Sequence, residues 1–220
     1  MTESQYQKPI QEMQSRGLES LGLMSSWSWL DDPKRLGFVL SRYKFVAKML
    51  DGINRVLEIG CGDGFATRVV RQAVKEVVAI DFDPAFIQDA KSRISSRWPV
   101  EFRLHNILEK PVSGKFDAAF CLDVLEHIDP KEESTFIKNI VSSITPNGVF
   151  IVGMPSLQSQ QYASKQSKEG HINCQDQAEL RAKMSNYFHN VFMFSMNDEV
   201  VHTGFGQMAQ YLFALCCHRK

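Results

Sequence analysis

Residues 56–64 read VLEIGCGDG, an apolar run that breaks into three glycines within five positions. The segment after it, FATRVVRQAV, alternates as one face of a helix does. A buried strand that ends in closely spaced glycines and restarts as a helix brings backbone to a ligand where side chains would collide. The chain is therefore constrained to a fold in which a strand end opens onto a binding crevice. Glu58 sits inside the strand end. Its carboxylate favours a ligand with a positive or donor-rich group over a bare phosphate. The combination points to a nucleoside-containing cofactor other than a simple dinucleotide.

The rest of the chain extends that unit. EVVAID (76–81), VEFRLHN (100–106), KFDAAFCL (115–122) and VFIVGM (149–154) read as further strands. Between them lie a helix opened by Pro84 and a helix over 131–144. Near-continuous apolar strands alternating with helices mean a parallel sheet covered on both faces. Beyond Met154 the pattern changes. Residues 155–174 are polar and rich in Ser, Gln and Lys, and a loop of that length is usually a functional lid or is disordered. A helix over 175–188 follows, then two strands, NVFMFSMND and QMAQYLFALCC, separated by EVVHTGFG. The expected fold is α/β: a Rossmann-like, doubly wound, mostly parallel seven-stranded sheet with an antiparallel C-terminal hairpin and helices on both faces. Residues 1–50 are expected to form an N-terminal helical cap, and the segment that carries Trp27 and Trp29 to pack on the main domain or cover its cleft. Residues 51–220 form the main domain, with 155–174 as a substrate lid.

Charge narrows the partners. With 25 basic and 25 acidic residues the formal net charge is zero, so the chain lacks the basic field that nucleic acid or an anionic membrane surface requires. The five cysteines have no zinc-type spacing, the N-terminus is polar, and no apolar run is long enough to span a bilayer. These features predict a reduced cytoplasmic protein acting on a small molecule, without nucleic acid or membrane partners.

Ligands of open parallel sheets bind at the carboxyl ends of the strands. The second strand ends at Asp81, 17 residues beyond Gly64, where a carboxylate can accept both hydroxyls of a ribose. The third ends at Asn106, whose amide can meet a purine edge or simply cap the turn. The fourth ends at Cys121-Leu122-Asp123. A dinucleotide site would want GxGxxG, whereas this turn is GxGxG.

The ExGCGxG turn, the acidic end of the second strand and FDAAFCLDVLEHI together resemble the class I S-adenosylmethionine-dependent methyltransferases, over about residues 50–155. The resemblance implies that Gly60, Cys61, Gly62 and Gly64 pass the methionine part of S-adenosylmethionine, with Glu58 orienting the turn or the cofactor's amine. Asp81 would hold the ribose, Phe82 would flank the adenine, and Asn106 with Ile107 would lie at its edge. Cys121, like Cys61, would be a small apolar neighbour of the cofactor.

Methyl transfer needs a nucleophile in line with the sulfonium and a group to take its proton. Asp123, Glu126 and His127 would share one face if 123–127 formed a helical turn. His127 then has three readings: general base, metal ligand or positioning group, with Asp123 as its catalytic companion. The segment resembles the E-x-x-E-H arrangement of metal-dependent ubiquinone-pathway O-methyltransferases and small-RNA 2′-O-methyltransferases. That implies a divalent metal such as Mg or Mn on Asp123, Glu126, His127 and a fourth ligand, with His171 first and His202 or His189 as alternatives. Tyr162, Lys168 and His171 of the lid and Arg42 of the N-terminal helix are the expected substrate contacts. The C-terminal part resembles methyltransferases of bacterial surface-polysaccharide biosynthesis. A methyl acceptor oxygen on a sugar, sugar nucleotide or phosphorylated precursor follows from that resemblance, with a metal-dependent RNA 2′-O-methyltransferase as the alternative.

Overall fold

The computed structural model describes residues 3–220. Three helices come first: α1 (Ser4–Arg16), α2 (Leu23–Asp31) and α3 (Lys34–Met49). Strands and helices then alternate as β1 (Arg55–Ile59), α4 (Thr67–Arg71), β2 (Glu76–Asp81), α5 (Pro84–Ser92), β3 (Glu101–Leu104) and β4 (Phe116–Leu122). After a short 3-10 turn at Leu125–His127 come α6 (Glu133–Ser143), β5 (Ile144–Pro155), α7 (Lys165–Gly170) and α8 (Gln177–Ser185). The chain closes with β6 (Phe188–Asn197), β7 (Val200–His202) and β8 (Tyr211–Arg219).

The helix starts follow local chemistry. Asp83 accepts from Ala85 N–H ahead of α5, with Pro84 as its first residue. Asp176 and Glu179 form a reciprocal capping box on α8.

The strands form one sheet in the order β3-β2-β1-β4-β5-β8-β6-β7. β1 to β5 are parallel, while β8 runs antiparallel to both β5 and β6. The sheet thus has eight strands, not seven. The additional one is β7, inside the EVVHTGFG segment, where three residues pair with the end of β6. Such a ladder is too short to produce a visible alternation. The two C-terminal strands are hydrogen-bonded neighbours as expected, but β8 is inserted in the interior of the sheet and does not lie at its edge.

Two apolar layers flank the sheet. One face carries Leu57, Ile59 and Phe116 against α6 and α8; the other carries Val56, Ala79 and Phe120 against α3, α4 and α5. Tyr43, Val46 and Ala47 of α3, with Leu50 just after it, are buried in that second layer. The period of two along β1 sends Leu57 and Ile59 to the α6 side and turns Glu58 toward α3.

The N-terminal segment meets the main domain through polar contacts. α1 buries none of its residues, and Trp27 and Trp29 remain about half exposed, at 48% and 58%. α2 is held by its end and not by an apolar face. Ser25 N–H donates to Asp63 (2.7 Å) and Leu23 N–H to Asp89 (3.1 Å). Among the described residues no helix is long and apolar enough to cross a membrane.

Candidate active site

A cavity of about 530 Å³ opens at the carboxyl ends of β1, β2 and β4. Gly60 and Gly62 form its floor with φ of 72° and 52°, a region that L side chains rarely occupy. A Cβ on Gly60 would also run into Val124. Asp81 holds this turn in place: one carboxylate oxygen accepts from Gly62 N–H and the other from Asp83 N–H, both at 2.9 Å. An ionised carboxylate has about four acceptor sites, so Asp81 keeps capacity for the cavity that it lines. Phe82 and Ile107 line the same space, one exposed and one buried.

Other expected cofactor residues stand further back. Glu58 is buried on the α3 side, where Tyr43 Oη donates to its Oε1 at 2.6 Å. Its Oε2 has no hydrogen-bond partner among the described residues. Burial pushes its pKa up to about 7, against the pull of the Tyr43 hydrogen bond. Cys61 and Cys121 are buried in opposite core layers, and neither is part of the cavity lining. Gly64 likewise lies behind it, at φ 67°, where a Cβ would stand 2.5 Å from Phe102. Asn106 lines the cavity, but its side chain is committed locally: Oδ1 accepts from Leu108 N–H at 3.0 Å and Nδ2 donates to Glu109 at 3.3 Å. Sequence reasoning missed the apolar walls Phe86, Leu108, Val124 and Ile128. Their position two to six residues past strand ends was the available signal.

At the other end of the cavity the backbone departs from a helical turn. Asp123 has φ 57°, and its N–H closes β4 against Gly153 O at 3.1 Å. Its carboxylate receives Arg42 Nη1 on both oxygens, at 2.8 and 2.7 Å. The Arg42 guanidinium lies over the buried Tyr211 ring, 4.0 Å from its centroid. Burial opposes the Arg42 charge, but Asp123 outweighs it and raises the pKa above the ordinary value. Arg42, expected as a substrate contact, is thus primarily the partner of Asp123.

Glu126, His127 and His171 converge, with one ligand-capable atom from each lying within 4.8 Å of the others. Asp123 is outside this set, which corrects the four-residue expectation; Arg42 draws its carboxylate elsewhere. His127 Nδ1 lies 2.8 Å from Gly170 O. A carbonyl only accepts, so Nδ1 carries the proton and Nε2 keeps its lone pair. His171 Nδ1 meets Gln160 Oε1 at 2.8 Å, which leaves Nε2 free in the same way. Burial, aided by His127, holds His171 below its ordinary 6.5, so the ring is neutral at neutral pH. Glu126 is fully buried, and neither carboxylate oxygen has a hydrogen-bond partner among the described residues. Burial and then the Asp123 charge push its pKa well above the usual carboxylate range. Two orphan oxygens at a buried carboxyl are costly unless a proton or a cation meets them.

The remaining expected contacts do not join this end. Tyr162 is 84% exposed, and Lys168 Nζ is tied back to Gln161 O at 3.1 Å. His202 is engaged in its own turn by Asn197 and Gly204.

Residues 56–148 match the family model of a methyltransferase domain. Over 133 residues the chain is 29% identical to a ubiquinone biosynthesis O-methyltransferase of Xanthomonas axonopodis pv. citri (strain 306), covering 57% of this chain and 54% of that protein. The chain spans about half the length of the curated relatives it matches. The fold is similar to that of the N-methyltransferase NodS from Bradyrhizobium japonicum WM9, solved with S-adenosyl-L-homocysteine. That likeness has a TM-score of 0.66 at 18% identity and covers 98% of this chain and 99% of NodS. The methyltransferase domain of bacterial CtHen1-C also has a similar fold, with a TM-score of 0.66 at 16% identity over 81% and 97% of the two chains. The segment that matches the family model contains the glycine turn, Asp81 and the 123–127 turn, whereas His171 and the lid lie beyond it.

Proposed function

We propose that this chain transfers a methyl group from S-adenosylmethionine to an oxygen of a small polyhydroxy acceptor, a sugar, sugar nucleotide or phosphorylated sugar precursor. The observation that carries the reading is the double position of His127. It lines the cofactor cavity and also converges with Glu126 and His171. An acceptor hydroxyl resting on that cluster faces the space in which the donor lies.

The residues fit the cofactor. The side-chain-free floor at Gly60 and Gly62 admits backbone contact, Asp81 is oriented with acceptor capacity to spare, and Phe82 and Ile107 offer apolar surface for a purine. When bound, S-adenosylmethionine supplies an electrophilic methyl group on a sulfonium.

The residues also fit a divalent cation. Glu126, His127 and His171 offer one carboxylate and two imidazole nitrogens, a donor set suited to Mn, Fe or Zn as well as Mg. The orphan oxygens of Glu126 and the two outward Nε2 lone pairs are what such an ion satisfies. When bound, it supplies Lewis acidity that lowers the pKa of a coordinated hydroxyl. Gly170 and Gln160 fix the two imidazole tautomers in the ligating form, as outer partners of metal-bound histidines do.

Oxygen is favoured as the acceptor atom by the likeness to a ubiquinone biosynthesis O-methyltransferase. A sugar-like acceptor is favoured by the Ser- and Gln-rich lid next to His171. An RNA 2′-hydroxyl would present the same chemistry, but a net charge of zero gives no field for phosphates. The test is transfer of labelled methyl from S-adenosylmethionine across nucleotide sugars, catechols and short RNAs, with and without chelator. Label on nucleotide-sugar oxygen, lost with EDTA and restored by Mn²⁺, is expected. Label confined to nitrogen, catechol or RNA overturns the acceptor, and transfer indifferent to EDTA overturns the metal.

A further inference from the structure

Glu133 lies in the first turn of α6 and lines neither the cavity nor the donor cluster. Its side chain is only 11% exposed. One oxygen, Oε2, accepts from three groups that all arrive from the far end of the lid and from α8. They are Asn173 Nδ2 at 2.8 Å, Gln175 Nε2 at 2.7 Å and Lys183 Nζ at 2.8 Å. Charge-assisted bonds of this kind are about twice as strong as neutral ones.

What Glu133 gathers is the stretch that carries His171. Ile172 N–H and Asn173 N–H both donate to Glu126 O, at 2.9 and 3.0 Å. Asn173 Nδ2 also reaches Leu125 O at 3.4 Å. Gln175 O accepts from Leu157 N–H at 2.9 Å, which closes the base of the lid. His171 therefore stands two residues from a fixed anchor, beside a turn to which the same segment is stitched. The outer part of the lid, with the exposed Tyr162, lacks such an anchor to α6.

We propose that Glu133 is the positioning residue of the Glu126–His127–His171 centre. By drawing Asn173, Gln175 and Lys183 onto one carboxylate it sets where His171 stands, and so sets the affinity of the centre for a divalent cation. The proposal rests on the metal reading above.

The test is equilibrium binding of Mn²⁺ to the full chain, read by the electron-spin signal of the free ion. S-adenosylhomocysteine affinity on the same samples reports whether the fold is intact. Glu133→Ala should weaken Mn²⁺ binding about tenfold or more, the range seen when outer-shell partners of metal ligands are removed, with S-adenosylhomocysteine affinity unchanged. Glu133→Gln keeps an acceptor oxygen but loses the charge, and should fall between wild type and Glu133→Ala. It carries the test if the alanine variant does not fold. Wild-type Mn²⁺ affinity in a folded Glu133→Gln or Glu133→Ala protein overturns the proposal and leaves Glu133 a stabilising residue only. Wild-type protein with no Mn²⁺ uptake that His171→Ala abolishes overturns the centre itself, and this proposal with it.

Discussion

The two ends of the cleft are built by different means. The cofactor end is made of backbone: two glycines at positive φ, a carboxylate that fixes their turn, and apolar walls, all within residues 59–136. The acceptor end is made of side chains brought together from afar. Arg42 and Asp123 are 81 positions apart, and His127 and Gly170 are 43 apart. A site written in contiguous backbone depends on local conformation, whereas a site assembled from distant side chains depends on every tie that holds the segments in place. The two ends should therefore fail separately.

The largest separation is expected from the acceptor end. His171→Ala should abolish Mn²⁺ uptake and, with the Lewis acid lost from the acceptor end, lower methyl transfer by about 100-fold. S-adenosylhomocysteine affinity, followed by calorimetric titration, should not change. Asp81→Ala is the mirror experiment. Losing a carboxylate that takes two backbone N–H groups should weaken S-adenosylhomocysteine about 10–100-fold while Mn²⁺ uptake persists. Joint loss of both affinities in either variant would break the division.

Smaller effects sharpen it. Gly60→Ala places a side chain at φ 72° against Val124 and should cost about 2 kcal/mol or more in denaturant unfolding. Glu58, behind the glycine turn, gives a pH signature of its own. Its folded pKa of about 7 lies above the ordinary 4.5, so the stability it contributes is complete below pH 4.5 and is lost as pH rises through 7. The loss is on the order of 1–3 kcal/mol. Glu58→Gln should flatten unfolding free energy over that window, and an unchanged slope would show that Glu58 does not titrate there.

The same contrast explains what the sequence disclosed. VLEIGCGDG and Asp81 could be placed because strand, turn and the carboxylate that fixes the turn follow one another along the chain. His127 and Glu126 could be singled out because they are adjacent, and His171 because a histidine in a polar loop is conspicuous. The Asp123 expectation rested on a regular helical turn, and the ladder bond to Gly153 together with the Arg42 ion pair imposes a left-handed residue instead. Nothing local marks Glu133 or Gln160, since a glutamate opening a helix and a glutamine in a loop look solvated until the lid is folded over them. β7 was hidden for a related reason, as three residues in a turn-like segment pair only because β6 is already in place.

The place of β8 has a consequence for the order in which the molecule can be completed. β6 and β7 reach the rest of the sheet only through β8, which is made after both of them. On the ribosome, β1 to β5 can pair as they emerge, with their partners already present. β6, carrying Phe188, Phe192, Phe194 and Met196, must wait with one long edge unsatisfied until Tyr211–Arg219 has been synthesised and inserted beside it. Until β8 is in place, β6 is thus the strand whose open edge is most ready to pair with a strand of another chain.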